Sequence, residues 1–208
     1  AFADEQVGRV LDALRKSPQA KDTIVVLWTD HGWHLGEKQH WRKFTLWEEA
    51  VRTPLMIHVP EKLSKSFPNG TKAGTRIDVP VGLIDVYPTL VDLCGVGENK
   101  ALEGQSLVPL LKNSQTKWDR PALTTHGRNT HAVRTPRWRY VRYGDGSEEL
   151  YDHDVDPNEW SNLAGKPEHA DLKKKLAQWF PEKNAKSAPD RRYSLRPLRF
   201  KSSLLNRY

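Results

Sequence analysis

The feature that most constrains the fold is a continuous apolar run at residues 23–28, Thr-Ile-Val-Val-Leu-Trp, which stops abruptly at Thr-Asp-His, residues 29–31. β-Branched residues without polar alternation are typical of a strand covered on both faces, as in a parallel α/β sheet. Ligands of open α/β sheets bind just beyond the carboxyl ends of strands. The run therefore predicts an α/β fold with a polar site directly after this strand.

The neighbouring segments fit the same fold class. Val7, Val10, Leu11 and Leu14 have helical spacing and predict an amphipathic helix before the strand. Residues 54–60 form a second apolar run, bounded by prolines, which predicts another buried strand after the polar loop. The order helix, strand, site loop, strand follows from these patterns.

A further helix is predicted to start at Asp85 as its N-cap, with Pro88 in its first turn and Gly95 at its end. After it, short apolar runs separated by turn residues predict antiparallel hairpins. A last helix is predicted at residues 168–180. Its apolar face is predicted to comprise Leu172, Leu176, Trp179 and Phe180.

We therefore predict an α/β portion at residues 1–115, a smaller α+β portion with antiparallel hairpins and a helix at 116–180, and a basic tail at 181–208. The net charge of +7 lies towards the C-terminus. From Lys173 onward there are eleven lysine and arginine residues against two acidic ones, so the preceding body is close to neutral. A solvated extension and an anion-binding or partner-binding tail are the two interpretations of that charge.

Composition also bounds the class of protein. No run reaches the roughly 18–20 apolar residues of a membrane span. The chain starts with neither a methionine nor a signal-peptide pattern, so we expect it to begin within a longer protein. Cys94 is the only cysteine, which excludes an internal disulfide and a cysteine cluster for zinc.

The loop after the first strand is dense in side chains that bind metals and anions. Asp30 and His31 can hold a divalent cation, Gly32 allows close backbone approach, and Lys43 can hold an anion. Such a set suits a tetrahedral oxyanion such as sulfate or phosphate. The alternative from the residues alone is a capped strand end with a hydrogen-bonded histidine and solvated lysines. The other polar residues of the loop, open to pocket or structural roles, are His34, Lys38 and His40.

A series of short blocks extends this motif along the chain. In order they are Asp4-x-x-Val7-Gly8-Arg9, Asp30-His31-Gly32, Leu35-Gly36-Glu37, Trp41-x-Lys43, Thr53-Pro54-Leu55, Asp85-Val86-Tyr87-Pro88-Thr89-Leu90, Leu102-Glu103-Gly104-Gln105-Ser106-Leu107, Glu149-Leu150-Tyr151-Asp152, Asp156-Pro157 and Asn162-Leu163. Together they resemble the C-terminal portion of formylglycine-dependent sulfatases of the alkaline phosphatase superfamily, most of all the iduronate-2-sulfatase type. Several matched blocks in one order are more specific than any single one.

The resemblance implies roles for particular residues. It implies that Asp30 and His31 are ligands of a calcium ion, although an imidazole ligand is unusual for calcium and the residues alone would favour zinc or manganese. It implies that Lys43 contacts the sulfate group and stabilises charge in the transition state. Trp33 matches a tryptophan that lines the substrate pocket, and a packing role is its alternative. The implied enzyme is a periplasmic or secreted sulfatase acting on sulfated carbohydrate. The near-neutral body disfavours a nucleic-acid partner, and the lack of a long apolar run disfavours a membrane partner.

The resemblance also implies metal ligands and a nucleophile that we do not find in this sequence. The family carries paired aspartates and a Cys/Ser-x-Pro-x-Arg motif, the source of formylglycine, upstream of the Asp-His pair. Cys94 does not fit that motif, whereas residues 187–191, Ser-Ala-Pro-Asp-Arg, fit it but lie far downstream. We take the downstream match as a chance occurrence and expect the chain alone to be inactive.

Three other functions compete with a sulfatase. A phosphodiesterase or phosphonate monoester hydrolase of the same superfamily uses the same Asp-His pair, and a basic nucleic-acid-binding protein would explain the tail. A non-catalytic remnant would keep the fold without the site, which the presence of Asp30, His31 and Lys43 disfavours. Four residues are candidates for cationic or hydrogen-bonding contacts to a polysaccharide: His126, Arg128, His131 and Arg134. The alternative is that they are surface residues of a hairpin without a role in binding.

Overall fold

Short antiparallel sheets and helices organise the chain in its computed structural model, which describes residues 1–67, 72–97 and 99–186. The strands are β1 (Val25–Trp28), β2 (His34–Leu35), β3 (Trp41–Arg42), β4 (Leu55–His58), β5 (Ala122–Thr125), β6 (His131–Arg134), β7 (Trp138–Arg142) and β8 (Glu148–Asp152). The helices are α1 (Phe2–Arg15), α2 (Glu48–Val51), α3 (Glu61–Ser64), α4 (Val86–Cys94), α5 (Val108–Lys112) and α6 (Ala170–Ala177). Four 3₁₀ turns complete the described elements: Pro18–Lys21, Glu37–Gln39, Leu83–Asp85 and Pro167–His169.

The first predicted helix and the two predicted strands form, but their burial differs from the prediction. None of the residues of α1 is buried against the described part of the chain. Strand β1 pairs antiparallel with β4, with Val25 opposite His58 and Trp28 opposite Leu55. The prediction that β1 is covered on both faces is wrong for the described residues, because Trp28 is 49% exposed and β4 is its one partner there. Among the described residues the apolar run is therefore partly buried at 23–26 and exposed at Leu27 and Trp28.

Helix α4 begins and ends as predicted, and Asp85 acts differently from the prediction. Gly95 ends the helix in the left-handed conformation, at φ 62°. Asp85 does not cap the helix with its side chain. Its carboxylate instead accepts hydrogen bonds from the backbone N–H groups of Gly82, at 2.9 Å, and Gln105, at 2.8 Å. Asp85 thereby joins two loops across α4.

The predicted hairpins form a four-stranded antiparallel sheet in the order β5-β6-β7-β8. Side chains alternate between its faces, so Val133, Tyr140 and Leu150 lie on one face against Leu176 and Phe180 at and beyond the end of α6. Burying such side chains stabilises the fold by about 1.5–3 kcal/mol each. Trp179 departs from the predicted apolar face: it lies beyond the end of α6 and is 45% exposed, whereas Phe180, one residue further on, is 6% exposed.

The opposite face of this sheet covers the segment that follows the candidate site. Ala132 and Val141 pack against Leu46 in a second buried cluster. Arg139 lies between Tyr140 and Trp138 on β7 and so faces the same way as Val141. This face fixes residues 45–48 on the sheet, and therefore positions the loop before them. None of the helices among the described residues is long and apolar enough to cross a bilayer.

Candidate functional site

Asp30, His31 and Lys43 meet beyond the end of β1. The Lys43 ammonium donates to His31 Nε2 over 2.8 Å, and the same Nε2 lies 3.6 Å from Asp30 Oδ2. The lysine is twelve positions from the histidine in sequence. The turn between β2 and β3 brings it back, with His34 opposite Arg42 and Leu35 opposite Trp41. Three of the four predicted site residues thus lie within 3.6 Å of a shared atom, His31 Nε2, or carry it.

The tautomer of His31 follows from its second contact. His31 Nδ1 lies 2.8 Å from the carbonyl oxygen of Gly32. A carbonyl only accepts, so Nδ1 carries the proton and Nε2 presents its lone pair. That lone pair and the Asp30 carboxylate converge on the same side of the loop. One imidazole nitrogen and one carboxylate oxygen fit the partial ligand set of a divalent cation, and an N–H bond from the distal nitrogen to a carbonyl is the usual support for such a ligand.

Gly32 is required by close backbone packing. Its N–H donates to the carbonyl of Ala50 over 2.7 Å. A Cβ atom at this position would lie 2.0 Å from the carbonyl oxygen of Glu49, which belongs to the backbone of α2. The site loop is therefore pressed against α2, and only glycine permits that approach.

Gly32→Ala is expected to lower the free energy of unfolding by about 1–3 kcal/mol, because the new methyl group must displace one of two backbone segments. The matched control is Gly8→Ala, where an added Cβ meets nothing within 4 Å. In the middle of α1 that change should stabilise the protein by roughly 0.5–1 kcal/mol. Urea unfolding of both variants measures the difference, and equal stabilities would contradict the close packing.

The backbone around Lys43 is held in an uncommon conformation. Arg42 and Phe44, on either side of it, have φ values of 76° and 75°. Left-handed conformations of non-glycine residues are costly and persist where the surroundings determine them. One such restraint is His40, whose Nε2 lies 3.1 Å from the Lys43 carbonyl oxygen. Lys43 is thus presented by a fixed turn.

The remaining polar residues of the loop separate into exposed and buried groups. Trp33 is 49% exposed beside the site, with its ring centroid 6.2 Å from that of His31, so a buried packing role is wrong for the described chain. His34 is fully buried and contacts His40 and Trp47 edge to face. Burial, and next His40, lowers the pKa of His34. His34 and His40 therefore pack inside the loop, which indicates a structural role for both.

Lys38 is directed away from Lys43, into the C-terminal sheet. Its ammonium donates to Tyr151 Oη at 2.9 Å and to the Glu159 carbonyl at 2.7 Å. It also lies 4.2 Å from the ring centre of Trp47. Burial lowers the pKa of Lys38, although nearby carboxylates, Glu149 first, oppose the shift. Lys38 is one of the residues around a cavity of ≈ 250 Å³ between the loop and residues 158–160.

A buried ion-pair network behind the loop was not predicted from the sequence. Arg139 and Glu159, each 1% exposed, are in contact through Arg139 Nε and the carboxylate. Arg139 also contacts the Glu48 carboxylate and donates to the Leu46 carbonyl at 3.1 Å. Glu159 accepts the backbone N–H of Glu48 at 2.9 Å. The one weak sequence signal is Arg139 itself, a charged residue at a core position of an otherwise buried strand.

Three members of this network have the geometry of a metal cluster. Ligand atoms of Glu48, His153 and Glu159 all lie within 4.8 Å of one another. However, Arg139 pairs with both carboxylates, and Arg134 adds a second guanidinium at 3.3 Å from Glu48. These cations already neutralise the carboxylates, and a metal ion would have to displace them. The contacts with Arg139 and Arg134 make this cluster an ion-pair network within the fold.

The network holds its two carboxylates ionised. Burial opposes ionisation of Glu48, but Arg139 and then Arg134 outweigh it and hold the pKa below 4.5. Burial also opposes ionisation of Glu159, whose pKa is held below 4.5 by the hydrogen bond from His153 and by Arg139. A carboxyl group with a lowered folded-state pKa stabilises the fold above its unfolded pKa, and that stability is lost as the pH falls.

We therefore expect the free energy of unfolding to fall as the pH is lowered through the ordinary glutamate value of 4.5. Glu159→Gln should lower stability at neutral pH and flatten this acid dependence, since the group that must be protonated is gone. Glu5→Gln, on exposed positions of α1, is the control that keeps the parent's slope. Urea unfolding across a series of acidic buffers measures the slopes, and identical slopes for parent and Glu159→Gln would contradict the assignment.

The four hairpin residues considered for polysaccharide contact fall into two groups. His126 and Arg128 are exposed at the turn between β5 and β6. His131 is buried between Thr125 and Asn184, and Arg134 belongs to the ion-pair network. His131 and Arg134 are thus engaged in contacts within the protein, whereas the side chains of His126 and Arg128 are the exposed pair. The Ser187–Arg191 match lies outside the described residues.

Comparison with known proteins identifies relatives of this chain. A family model described as N-sulphoglucosamine sulphohydrolase, C-terminal, matches residues 36–186. A sulfatase of Formosa agariphila is 41% identical over 197 residues, which covers 95% of this chain and 37% of that protein.

Solved structures agree with these matches. A protein determined in complex with its substrate D-glucosamine-2-N,6-O-disulfate has a TM-score of 0.67 and 31% identity, covering 84% of this chain and 36% of its own. Phosphonate monoester hydrolase of Agrobacterium radiobacter has a TM-score of 0.70 and 25% identity, covering 84% and 37%. These likenesses confirm the predicted fold class. The chain spans little more than a third of the length of the relatives it matches.

Proposed function

The chain belongs to the family of N-sulphoglucosamine sulphohydrolase C-terminal regions, and from this we propose that it is the part of a sulfuric ester hydrolase that completes the metal and sulfate site. The observation that carries the proposal is the contact of Lys43 Nζ with His31 Nε2, which places a cation, an imidazole lone pair and the Asp30 carboxylate at one point. The likeness to the iduronate-2-sulfatase type in particular stays a prediction.

In this proposal Asp30 and His31 hold a calcium ion together with ligands from outside these residues. The donor set supports this, because Nε2 of His31 is free of a proton and faces the carboxylate. Calcium would lower the cost of gathering negative charge around the sulfuryl group. A formylglycine nucleophile would come from outside the sequence described, so the 208 residues alone are expected to be inactive.

Lys43 is proposed to bind a sulfate oxygen and to stabilise its charge as the ester bond breaks. The fixed turn around Lys43 supports this role, since a donor that is already oriented costs little reorganisation during the reaction. When substrate is bound, the ammonium would exchange its contact with His31 for one with the sulfate group. Exposed Trp33 would offer its ring to the sugar.

We propose that residues 1–115 are part of a larger α/β catalytic domain, residues 116–180 a smaller α+β subdomain, and residues 181–208 a basic tail. The open apolar surfaces of α1 and β1 support the first part, because such surface is normally covered. The buried clusters around the four-stranded sheet support a separate packing unit for the second.

Sulfated carbohydrate is the proposed substrate class, because a relative of the same fold was solved with a disulfated glucosamine as its substrate. A phosphonate monoester hydrolase is the second candidate, favoured by the other structural likeness. Both substrates present a tetrahedral anion to a site of this kind, so their chemistry has to be compared directly.

The test uses a hybrid enzyme, in which this chain replaces the matching region of the Formosa agariphila sulfatase. We expect the hybrid to hydrolyse glucosamine 6-sulfate with a higher kcat/KM than phenyl phosphonate esters. The opposite preference would favour the second candidate. The unmodified relative, assayed in parallel, is the control for the activity of the exchanged half.

A further inference from the structure

A second cavity, of ≈ 450 Å³, lies between the turn that joins β5 to β6 and residues 181–186. Its polar floor is built from three residues. His131, 1% exposed, contacts Thr125 Oγ1 at 2.9 Å and Asn184 Oδ1 at 2.8 Å. Asn184 Oδ1 also accepts the backbone N–H of Asn129 at 3.1 Å. These bonds fasten the two walls of the cavity to each other.

The walls of the cavity carry one sign of charge. Arg128, Lys183 and Lys186 line it, and among the described residues no aspartate or glutamate does. Within the part of the chain that the structure describes, none of these three side chains takes part in an ion pair or a side-chain hydrogen bond. Elsewhere in the sheet the buried arginines, such as Arg139, are paired with carboxylates. Uncompensated cations around a concave surface favour an anionic ligand.

The turn between β5 and β6, which borders the cavity, lies near the candidate site. Lys43 Nζ lies 5.4 Å from the centre of the Phe44 ring, and that ring lies 5.8 Å from the ring of His126. His126 directly precedes Gly127 and Arg128, which line the cavity. The turn that lines the cavity is therefore linked to Lys43 through the rings of Phe44 and His126.

We propose that this cavity is a second anion subsite, which takes a sulfate or carboxylate group on the sugar unit next to the one whose sulfate contacts Lys43. The identity of the ligand as a neighbouring sugar rests on the proposed function, whereas the capacity to bind an anion rests on the cavity alone. A substrate with two anionic groups would thereby bind in a single orientation, with one group at the candidate metal site and the other in the cavity.

The test is a titration of the full 208-residue chain, followed by the backbone amide NMR signals of Asn129 at the cavity and Gly32 at the candidate site. The ligands are inorganic sulfate, a 6-sulfated glucosamine, and disaccharides whose second unit carries either a sulfate or a carboxylate. We expect inorganic sulfate and both disaccharides to shift the Asn129 signal, with the relative affinity of the two disaccharides showing which anion the subsite prefers.

The decisive variant combines Arg128→Gln with Lys183→Gln, and it should weaken disaccharide binding roughly tenfold or more, as expected for the loss of charged hydrogen bonds. The matched control combines Lys174→Gln with Lys175→Gln, which removes the same charge from exposed positions of α6. Equal affinities of the two double variants, or an Asn129 signal that no ligand shifts, would overturn the proposal.

The NMR signals of Asn129 and Gly32 distinguish failure of the anion subsite from failure of the proposed function. Shifts at Asn129 without shifts at Gly32 would support the anion subsite and contradict the proposed function. Shifts at Gly32 without shifts at Asn129 would remove the subsite and leave the proposed function in place.

Discussion

Replacing Arg139 with methionine is expected to lower the free energy of unfolding by about 3–5 kcal/mol, the loss typical when one partner of a buried ion pair is removed. Arg139 contacts the carboxylates of Glu48 and Glu159 and donates to the Leu46 carbonyl. Without Arg139, the carboxylates of Glu48 and Glu159 remain buried and lose the guanidinium that balances their negative charge. The measurement is the free energy of unfolding from urea titration at neutral pH.

Arg137→Met is the matched control for this prediction. Arg137 makes a bidentate contact to Asp152 at 2.8 and 2.7 Å, but its side chain is 52% exposed. Exposed pairs contribute about 0–1 kcal/mol, so the control should lose much less stability. A triple variant, Arg139→Met with Glu48→Gln and Glu159→Gln, should recover part of the loss because no unpaired charge remains. Equal losses for Arg139→Met and Arg137→Met would contradict the role of the network.

The second large effect is expected at Lys43. In the hybrid enzyme, Lys43→Ala should lower kcat/KM for a sulfate ester about 10²–10³-fold, the usual loss for one oriented donor to a developing oxyanion. Lys43→Arg should retain part of the activity, since it keeps the charge but changes the position of the donor. Lys62→Ala is the control, because Lys62 is an exposed lysine in α3.

The outcome at Lys43 separates charge stabilisation from folding. The Lys43→Ala variant should unfold at nearly the parent's urea concentration, because its ammonium contacts His31 at the partly exposed surface of the loop. Wild-type kcat/KM in Lys43→Ala would exclude Lys43 from the reaction. A loss of activity matched by a loss of stability would assign the residue a structural role.

The sequence predicts those parts of the site whose residues are close together along the chain. Asp30 and His31 are adjacent in sequence and follow a strand, so their common position needs no knowledge of the rest of the fold. Lys43 was placed by resemblance, and a short hairpin accounts for its return to His31. Glycine at position 32 signalled close approach, and its contact with α2 explains why.

The features that were missed depend on long-range pairing. Arg139 and Glu159 are separated from Glu48 by about a hundred residues, and nothing in the sequence near any of them indicates the others. The apolar run of β1 indicates a strand but not its neighbours, and in the described chain its partner β4 is antiparallel. Trp179 fits the helical period, but α6 ends at Ala177, so helical periodicity does not decide which of Trp179 and Phe180 is buried.

The most direct test of the central claim is the calcium content of the purified hybrid enzyme, measured by inductively coupled plasma mass spectrometry. We expect one calcium per chain in the parent hybrid and a loss of bound calcium in the Asp30→Ala, His31→Ala double variant. The double variant Glu48→Gln, Glu159→Gln should keep the ion, since that cluster is neutralised by arginines. Unchanged calcium in the first variant, or its loss from the second alone, would contradict the assignment of the metal site to Asp30 and His31.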